Sequence, residues 1–152
     1  MKKCVVLLLV AFLSSTTAWA YDETLARNYE QFFSSFEEKQ VPKALHFVTP
    51  EKVVQAIKKG EAMLLLDVRT RQEQSLVGLT YGNRLSLPMN EVFKPENLAK
   101  IPTDEKVIVI CHSGVRSTVI EVALRNIGFD NVYSMKGGLV GLIKYLNAKT
   151  AF

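Results

Sequence analysis

Hydrophobic positions along the chain fall into short unbroken runs that alternate with longer segments at helical spacing. Val107-Ile108-Val109-Ile110 is the clearest run, apolar and β-branched throughout, as expected of a strand buried on both faces. Ala62 to Val68 is a second such run and Leu45 to Val48 a shorter one. Leu85 to Leu87 is stopped by Pro88, and Asn131 to Ser134 is the last strand candidate. Between these, Thr49-Pro50-Glu51 reads as an N-cap with proline at the first helical position, opening a helix to Lys59 that Gly60 ends. Glu91 to Lys100 carries Pro95 and divides into two short turns. Val119, Val122, Ala123 and Ile127 recur at helical spacing, which predicts a helix stopping at Gly128. Gly137-Gly138 opens a final helix through Leu139, Leu142, Ile143 and Leu146. Strands and helices in alternation predict an α/β fold with a mainly parallel sheet.

The first part of the chain follows other patterns. Lys2 and Lys3 precede an apolar run from Val5 to Leu13, and Ser14 to Thr17 lead into Ala18-Trp19-Ala20. A positive start, a short apolar core and a small-x-small site are the organisation of a secretory signal peptide. The run is too short to span a bilayer comfortably, although an uncleaved anchor is the alternative. Cys4 lies before the run, where the cysteine of a lipoprotein signal would not be. The expectation is an exported, periplasmic protein whose mature chain starts at Tyr21. From Tyr21 to Gln40, the residues Leu25, Tyr29, Phe32, Phe33 and Phe36 recur at three- and four-residue steps, giving one aromatic and one charged helix face. Such a helix suits either of two roles. It can cover apolar surface of its own domain, which is the simpler expectation, or contact a partner or second subunit.

Composition sharpens this picture in two places. A length of 152 residues with 48% apolar and 22% charged residues suits one domain with a real core. Cleavage lowers the net charge from +4 to +2, since Lys2 and Lys3 leave and no acid does. A charge of +2 spread along the chain supports neither nucleic-acid nor membrane binding. Cleavage also removes Cys4 and leaves Cys111 alone. In an exported protein a lone cysteine is an inert buried thiol, half of an intermolecular bridge, or a working thiol. With one cysteine and the scattered histidines His46 and His112, a metal site lacks ligands, and no cofactor is expected.

The position of Cys111 favours the working thiol. It leaves a buried strand at the mouth of a helix, where the first turn presents unpaired N–H groups and the positive end of the helix dipole. Both favour thiolate over thiol, and such sites lower a cysteine pKa from about 8.5 to roughly 3.5–7.5. The same groups form an anion cradle. Asp67 and Arg69 stand at the C-terminal end of another buried strand, where ligands bind in open parallel sheets. A structural role is the plainer expectation for them, with Arg69 pairing to Glu73 four residues on.

Cys111-His112-Ser113-Gly114-Val115-Arg116-Ser117 resembles the active loop of the rhodanese (thiosulfate sulfurtransferase) family, Cys-x-x-Gly-x-Arg-Ser/Thr. Leu64 to Arg69 with Glu73 is similar to the family's Leu-Asp-Val-Arg-x-x-x-Glu segment, and Lys136-Gly137-Gly138 to the Gly-Gly opening its last helix. The likeness runs in order from about Phe47 to Leu146. It departs at Gly78-Leu79-Thr80-Tyr81-Gly82-Asn83, where many members read Gly-His-Ile-Pro-Gly-Ala, and at Leu142, where many carry tryptophan. The retained glycines Gly78 and Gly82 suggest a retained turn.

The resemblance implies five strands flanked by helices on both faces; together with the patterns above, it divides the chain into residues 1–20 as signal peptide, 21–42 as helical extension and 43–152 as the rhodanese-like domain. It also implies a sulfurtransferase in which Cys111 takes a sulfur from a small donor such as thiosulfate and passes it to a thiophilic acceptor, a protein acceptor being compatible. His112, Ser113, Gly114, Val115, Arg116 and Ser117 would surround that sulfur, with Arg116 bracing the loop and Asp67 and Arg69 bordering it. Two other readings exist. Cysteine phosphatases place five residues between cysteine and arginine, whereas four intervene here, a tighter cradle suited to one sulfur atom. Rhodanese folds also serve as non-catalytic binding modules, usually after losing the cysteine that this chain retains.

Overall fold

The run of buried strands becomes the centre of a parallel sheet in the computed structural model, which describes residues 21–36, 44–147 and 149–150. The strands are β1 (Phe47–Val48), β2 (Met63–Asp67), β3 (Arg84–Ser86), β4 (Lys106–Ile110) and β5 (Val132–Met135). They lie in the order β1-β5-β4-β2-β3, all neighbours parallel. Helices α1 (Glu23–Ser34), α2 (Pro50–Lys58), α3 (Arg71–Leu76), α4 (Pro95–Leu98), α5 (Val115–Asn126) and α6 (Gly138–Tyr145) connect or precede them. The reading of an α/β fold with helices on both faces of a five-stranded sheet holds.

Side-chain alternation along the two central strands splits the core into two layers. Leu64, Leu66, Val68, Val107 and Val109 face Ile120 and Leu124 of α5, and Cys111 continues that same face. Met63, Leu65, Ile108 and Ile110 face Val53 and Val54 of α2 and Leu139 and Leu142 of α6. Burial of each large aliphatic contributes about 1.5–3 kcal/mol, so the two layers fix β4 from both sides. The loop leaving β4 therefore starts from a rigid root.

Local signals set most boundaries. Thr49 caps α2 by accepting from the Lys52 N–H at 3.3 Å, with Pro50 at the first turn. Thr70 and Glu73 form a reciprocal capping box on α3. Gly78 and Gly82, by contrast, lie outside the glycines with positive φ, so the turn between α3 and β3 does not depend on left-handed backbone there.

Two helices do not bury the positions that their apolar spacing picks out. On α5 the buried positions are Ser117, Ile120, Glu121 and Leu124, whereas Val119 and Ile127 are each 52% exposed. The inward side starts at Ser117, which lies by the sulfur, and residues three, four and seven further on share it. On α1 no residue is buried, and Leu25, Tyr29 and Phe33 are exposed. Phe32 and Phe36 lie against Arg125 of α5, with its guanidinium 5.7 and 6.0 Å from their ring centroids. The helix thus touches its own domain along one edge and does not lay its aromatic face over it. The signal-peptide reading concerns residues 1–20, which lie outside the described residues; among the described residues no helix is long and apolar enough to cross a membrane.

Candidate active site

Cys111 follows β4 directly, and Gly114 caps α5 in the left-handed region at φ 101°. Three residues after the cysteine the chain has turned back far enough for the Gly114 N–H to donate to Cys111 Sγ at 3.1 Å. Ser117, one turn into α5, places its Oγ 3.7 Å from the sulfur, where it accepts from the thiol. Cys111 itself is 0% exposed. Burial pushes its thiol pKa up, but the N–H and hydroxyl of Ser117 and the N–H groups of Gly114 and Ser113 outweigh it. The net shift is downward.

The N–H groups face the sulfur because the loop carbonyls are occupied elsewhere. The Leu139 N–H donates to the Cys111 carbonyl at 2.8 Å and the Val140 N–H to the His112 carbonyl at 3.0 Å. These are first-turn N–H groups of α6, left unpaired by their own helix. Such an approach is open to glycine alone at position 138, where an added Cβ would stand 2.4 Å from the Cys111 carbonyl oxygen and 2.8 Å from the Gly114 nitrogen. The Gly137-Gly138 pair is therefore a docking device for the cysteine loop as well as a helix start.

Arg116 points to the partner that the sequence reading gave to Arg69. Its Nη1 and Nη2 donate to Glu73 Oε2 and Oε1 at 2.8 and 2.6 Å. Glu73 Oε2 also accepts from the Thr70 N–H at 2.9 Å, so the capping box of α3 fixes the carboxylate that holds the arginine. The Arg116 guanidinium and the Thr70 N–H bring the Glu73 pKa from 4.5 to about 2. The Arg116 pKa is raised, first by the bond to Glu73, against burial, with a smaller contribution from the Cys111 sulfur. Arg116 thus braces the loop against α3 while lying close to the cysteine.

Arg69 instead turns back into the sheet. Its Nε donates to Asp67 Oδ1 at 2.9 Å and its Nη2 to Oδ2 at 2.6 Å, with both residues buried. Toward Glu73 it reaches the backbone carbonyl, at 3.5 Å. Position explains the correction: Arg69 precedes α3 and so lacks the shared helical face that makes an i,i+4 pair. Asp67 and Arg69 stand beside the root of the loop, Asp67 opposite Ile110 in the sheet register, with their charges spent on each other.

The structure therefore gathers Cys111, Ser113, Gly114, Arg116 and Ser117 about the sulfur. The side chains of His112 and Val115 are exposed, Val115 by 70%. The contribution of His112 is its carbonyl. Sequence reading overlooked Glu73 as the anchor of Arg116, although Thr70-x-x-Glu73 before a helix was a legible capping box. It also overlooked Thr118 and Ser134, whose hydroxyls lie 3.2 Å apart behind Ser117 and for which no sequence signal exists.

Residues 49–144 match the family model described as Rhodanese-like domain. Over 120 residues the chain is 29% identical to the "Probable adenylyltransferase/sulfurtransferase MoeZ" of Mycobacterium tuberculosis, covering 78% of this chain. The chain spans only 30% of that protein's length. It is also 29% identical over 100 residues to a protein of Allochromatium vinosum named "Sulfurtransferase", with 64% of this chain and 88% of that protein covered. Among solved structures, a rhodanese-related protein from Thermoplasma volcanium superposes with TM-score 0.55 at 25% identity, covering 65% of this chain and 91% of that one. The human single-domain sulfurtransferase TSTD1 superposes with TM-score 0.55 at 19% identity, covering 66% and 97%, a likeness of fold alone.

Proposed function

The chain belongs to the rhodanese-like domain family, and from that premise we propose that it is a sulfurtransferase working through a persulfide on Cys111. The observation that carries this reading is the Gly114 N–H donating to Cys111 Sγ at 3.1 Å from a loop whose Cys111 and His112 carbonyls are held by α6. Such a cradle stabilises negative charge on sulfur. The Cys111 thiolate attacks the outer sulfur of a donor such as thiosulfate; the donor S–S bond breaks and sulfite leaves with the electron pair. The sulfur remains on Cys111 as a persulfide. A thiophilic acceptor then attacks the terminal sulfur, the new S–S bond breaks, and the Cys111 thiolate returns.

Arg116 shares its charge with Glu73, which supports slow turnover of a dianion such as thiosulfate and better use of a less charged donor, such as a small organic persulfide. The full burial of Cys111 supports a small donor and an acceptor that presents a narrow nucleophile, a single thiol on a flexible segment included. We place the protein outside the cytoplasm, in a periplasmic space, on the sequence pattern of residues 1–20 alone.

The test is intact-protein mass spectrometry after exposure to thiosulfate and, separately, to a small organic persulfide. One sulfur atom should be added at Cys111 and lost again on addition of a thiol, and the Cys111→Ser protein should gain none. If neither donor loads the folded protein, the reading fails and a non-catalytic module remains.

A further inference from the structure

Behind the cysteine lies a small closed group of hydroxyls that the sulfur chemistry above does not itself require. Ser134, on β5 and 0% exposed, stands with its Oγ 2.9 Å from Ser117 Oγ and 3.2 Å from Thr118 Oγ1. Ser117 Oγ and Thr118 Oγ1 each lie 2.9 Å from the Gly114 carbonyl oxygen. Ser117 Oγ is also the group 3.7 Å from Cys111 Sγ. Three rotatable hydroxyl protons thus serve a thiol and one carbonyl, with Ser117 and Ser134 buried and Thr118 part-buried.

The number of donors matters because Ser117 must change acceptor when Cys111 ionises. With a thiol present, Cys111 donates to Ser117 Oγ and the Ser117 proton goes to the Gly114 carbonyl. When the S–H bond breaks and its proton leaves to solvent base, the sulfur becomes an acceptor and needs the Ser117 proton. Ser117 then takes its proton from the half-buried Gly114 carbonyl, which keeps the backbone N–H of Thr118 at 3.1 Å. The Thr118 hydroxyl, which already donates to the same carbonyl at 2.9 Å, stays there as a second donor and takes up the bond that Ser117 gives up. Ser134 completes the exchange by donating to Ser117 Oγ, at 2.9 Å, which polarises the Ser117 O–H toward the sulfur. Each hydroxyl proton has an acceptor in both states.

We propose that Ser134 and Thr118 are positioning residues for the nucleophile, a hydroxyl relay in which Ser134 donates to Ser117 Oγ and Thr118 stays on the Gly114 carbonyl, so that Ser117 can switch from that carbonyl to the Cys111 thiolate. The inference rests on the reading of Cys111 as a working thiolate but not on the identity of donor or acceptor. Nothing in the loop sequence announces it, since Ser134 lies on another strand, 17 residues from Ser117.

The test is a pH titration of thiol alkylation on the full chain carrying Cys4→Ser, so that Cys111 is the thiol read, with thermal stability measured alongside. Ser134→Ala should raise the Cys111 pKa by about half a unit, which is about a threefold loss of thiolate below the pKa. Thr118→Val should raise it in the same direction, and Thr118→Ser, which restores the hydroxyl, should return it to the starting value. The double variant should raise it by less than the two single shifts together, because both act through Ser117. An unchanged pKa in Thr118→Val and Ser134→Ala, with stability alone altered, overturns the relay. If Ser134→Ala does not fold, the contrast between Thr118→Val and Thr118→Ser decides. A relay that behaves as expected in a protein that never loads sulfur would reject sulfur transfer and keep the relay, so the two failures are distinct.

Discussion

Helices α5 and α6 begin with the same device and put it to opposite use. Each is capped by a left-handed glycine, Gly114 at φ 101° and Gly137 at φ 72°, and neither has a side-chain cap. The N–H groups at the mouth of α5 face the Cys111 sulfur, where they favour negative charge. Those of α6 donate to the Cys111 and His112 carbonyls. A helix start unoccupied by a side-chain cap is thus an anion site in one place and a clamp on the backbone in the other. The difference lies in what the neighbouring chain presents, a sulfur or a carbonyl. The second makes the first possible, since carbonyls held by α6 cannot turn toward the sulfur.

The strongest way to break this division is at the clamp. Gly138→Ala places a Cβ against backbone atoms on both sides of the loop. It should cost about 3 kcal/mol or more in urea unfolding. Gly82→Ala is the control: nothing lies within 4 Å of the added atom and the backbone there needs no positive φ, so stability should hold or rise slightly. Equal losses at both positions would remove the clamp from the account.

A second test acts on the anion site itself. Arg116→Ala should raise the Cys111 pKa and slow persulfide formation, since it removes a nearby charge and the tie to α3. His112→Ala should move both little, because that side chain is exposed. Alkylation titrations of the two variants decide it: a larger rise in His112→Ala would make the imidazole, not the backbone and Arg116, the main source of activation.

The smallest expected effect concerns the tie between loop and α3. Folding lowers the Glu73 pKa from 4.5 to about 2, so the unfolded chain binds this proton more readily than the folded one. The Glu73 contribution is therefore fully present above the ordinary carboxylate value and fades as pH falls from about 4.5 toward 2. About a third of each side chain is in water, 31% and 32%, so the contribution is at most about 1 kcal/mol. Glu73→Gln should flatten this acid limb in denaturation curves measured across pH. A slope unchanged from the parent protein would mean that the ion pair adds nothing to stability.

Much of this was legible in the order of residues. The unbroken run Val107 to Ile110 identifies the central strand, and the Cys-x-x-Gly-x-Arg spacing puts the cysteine at a helix mouth. Thr49-Pro50 marks the start of α2, and Pro95 divides its segment as expected. These features depend on short-range sterics and on the period of one element, which a few neighbouring residues determine. Legibility stopped where a side chain chooses a partner across the fold. Sequence spacing paired Arg69 with Glu73; in the folded protein Arg69 takes Asp67 and Glu73 takes Arg116, 43 residues away. The regular apolar spacing of Val119 and Ile127 likewise does not mark the inward side of α5, which is Ser117, Ile120, Glu121 and Leu124. The grip of α6 on the loop carbonyls and the place of Ser134 behind Ser117 belong to the same class. Local patterning determines which elements form and which residues can react. Only the packing of one element on another decides which hydrogen-bonding group meets which, because that choice depends on the rotation and approach of whole helices and strands, and no single segment of the chain encodes it.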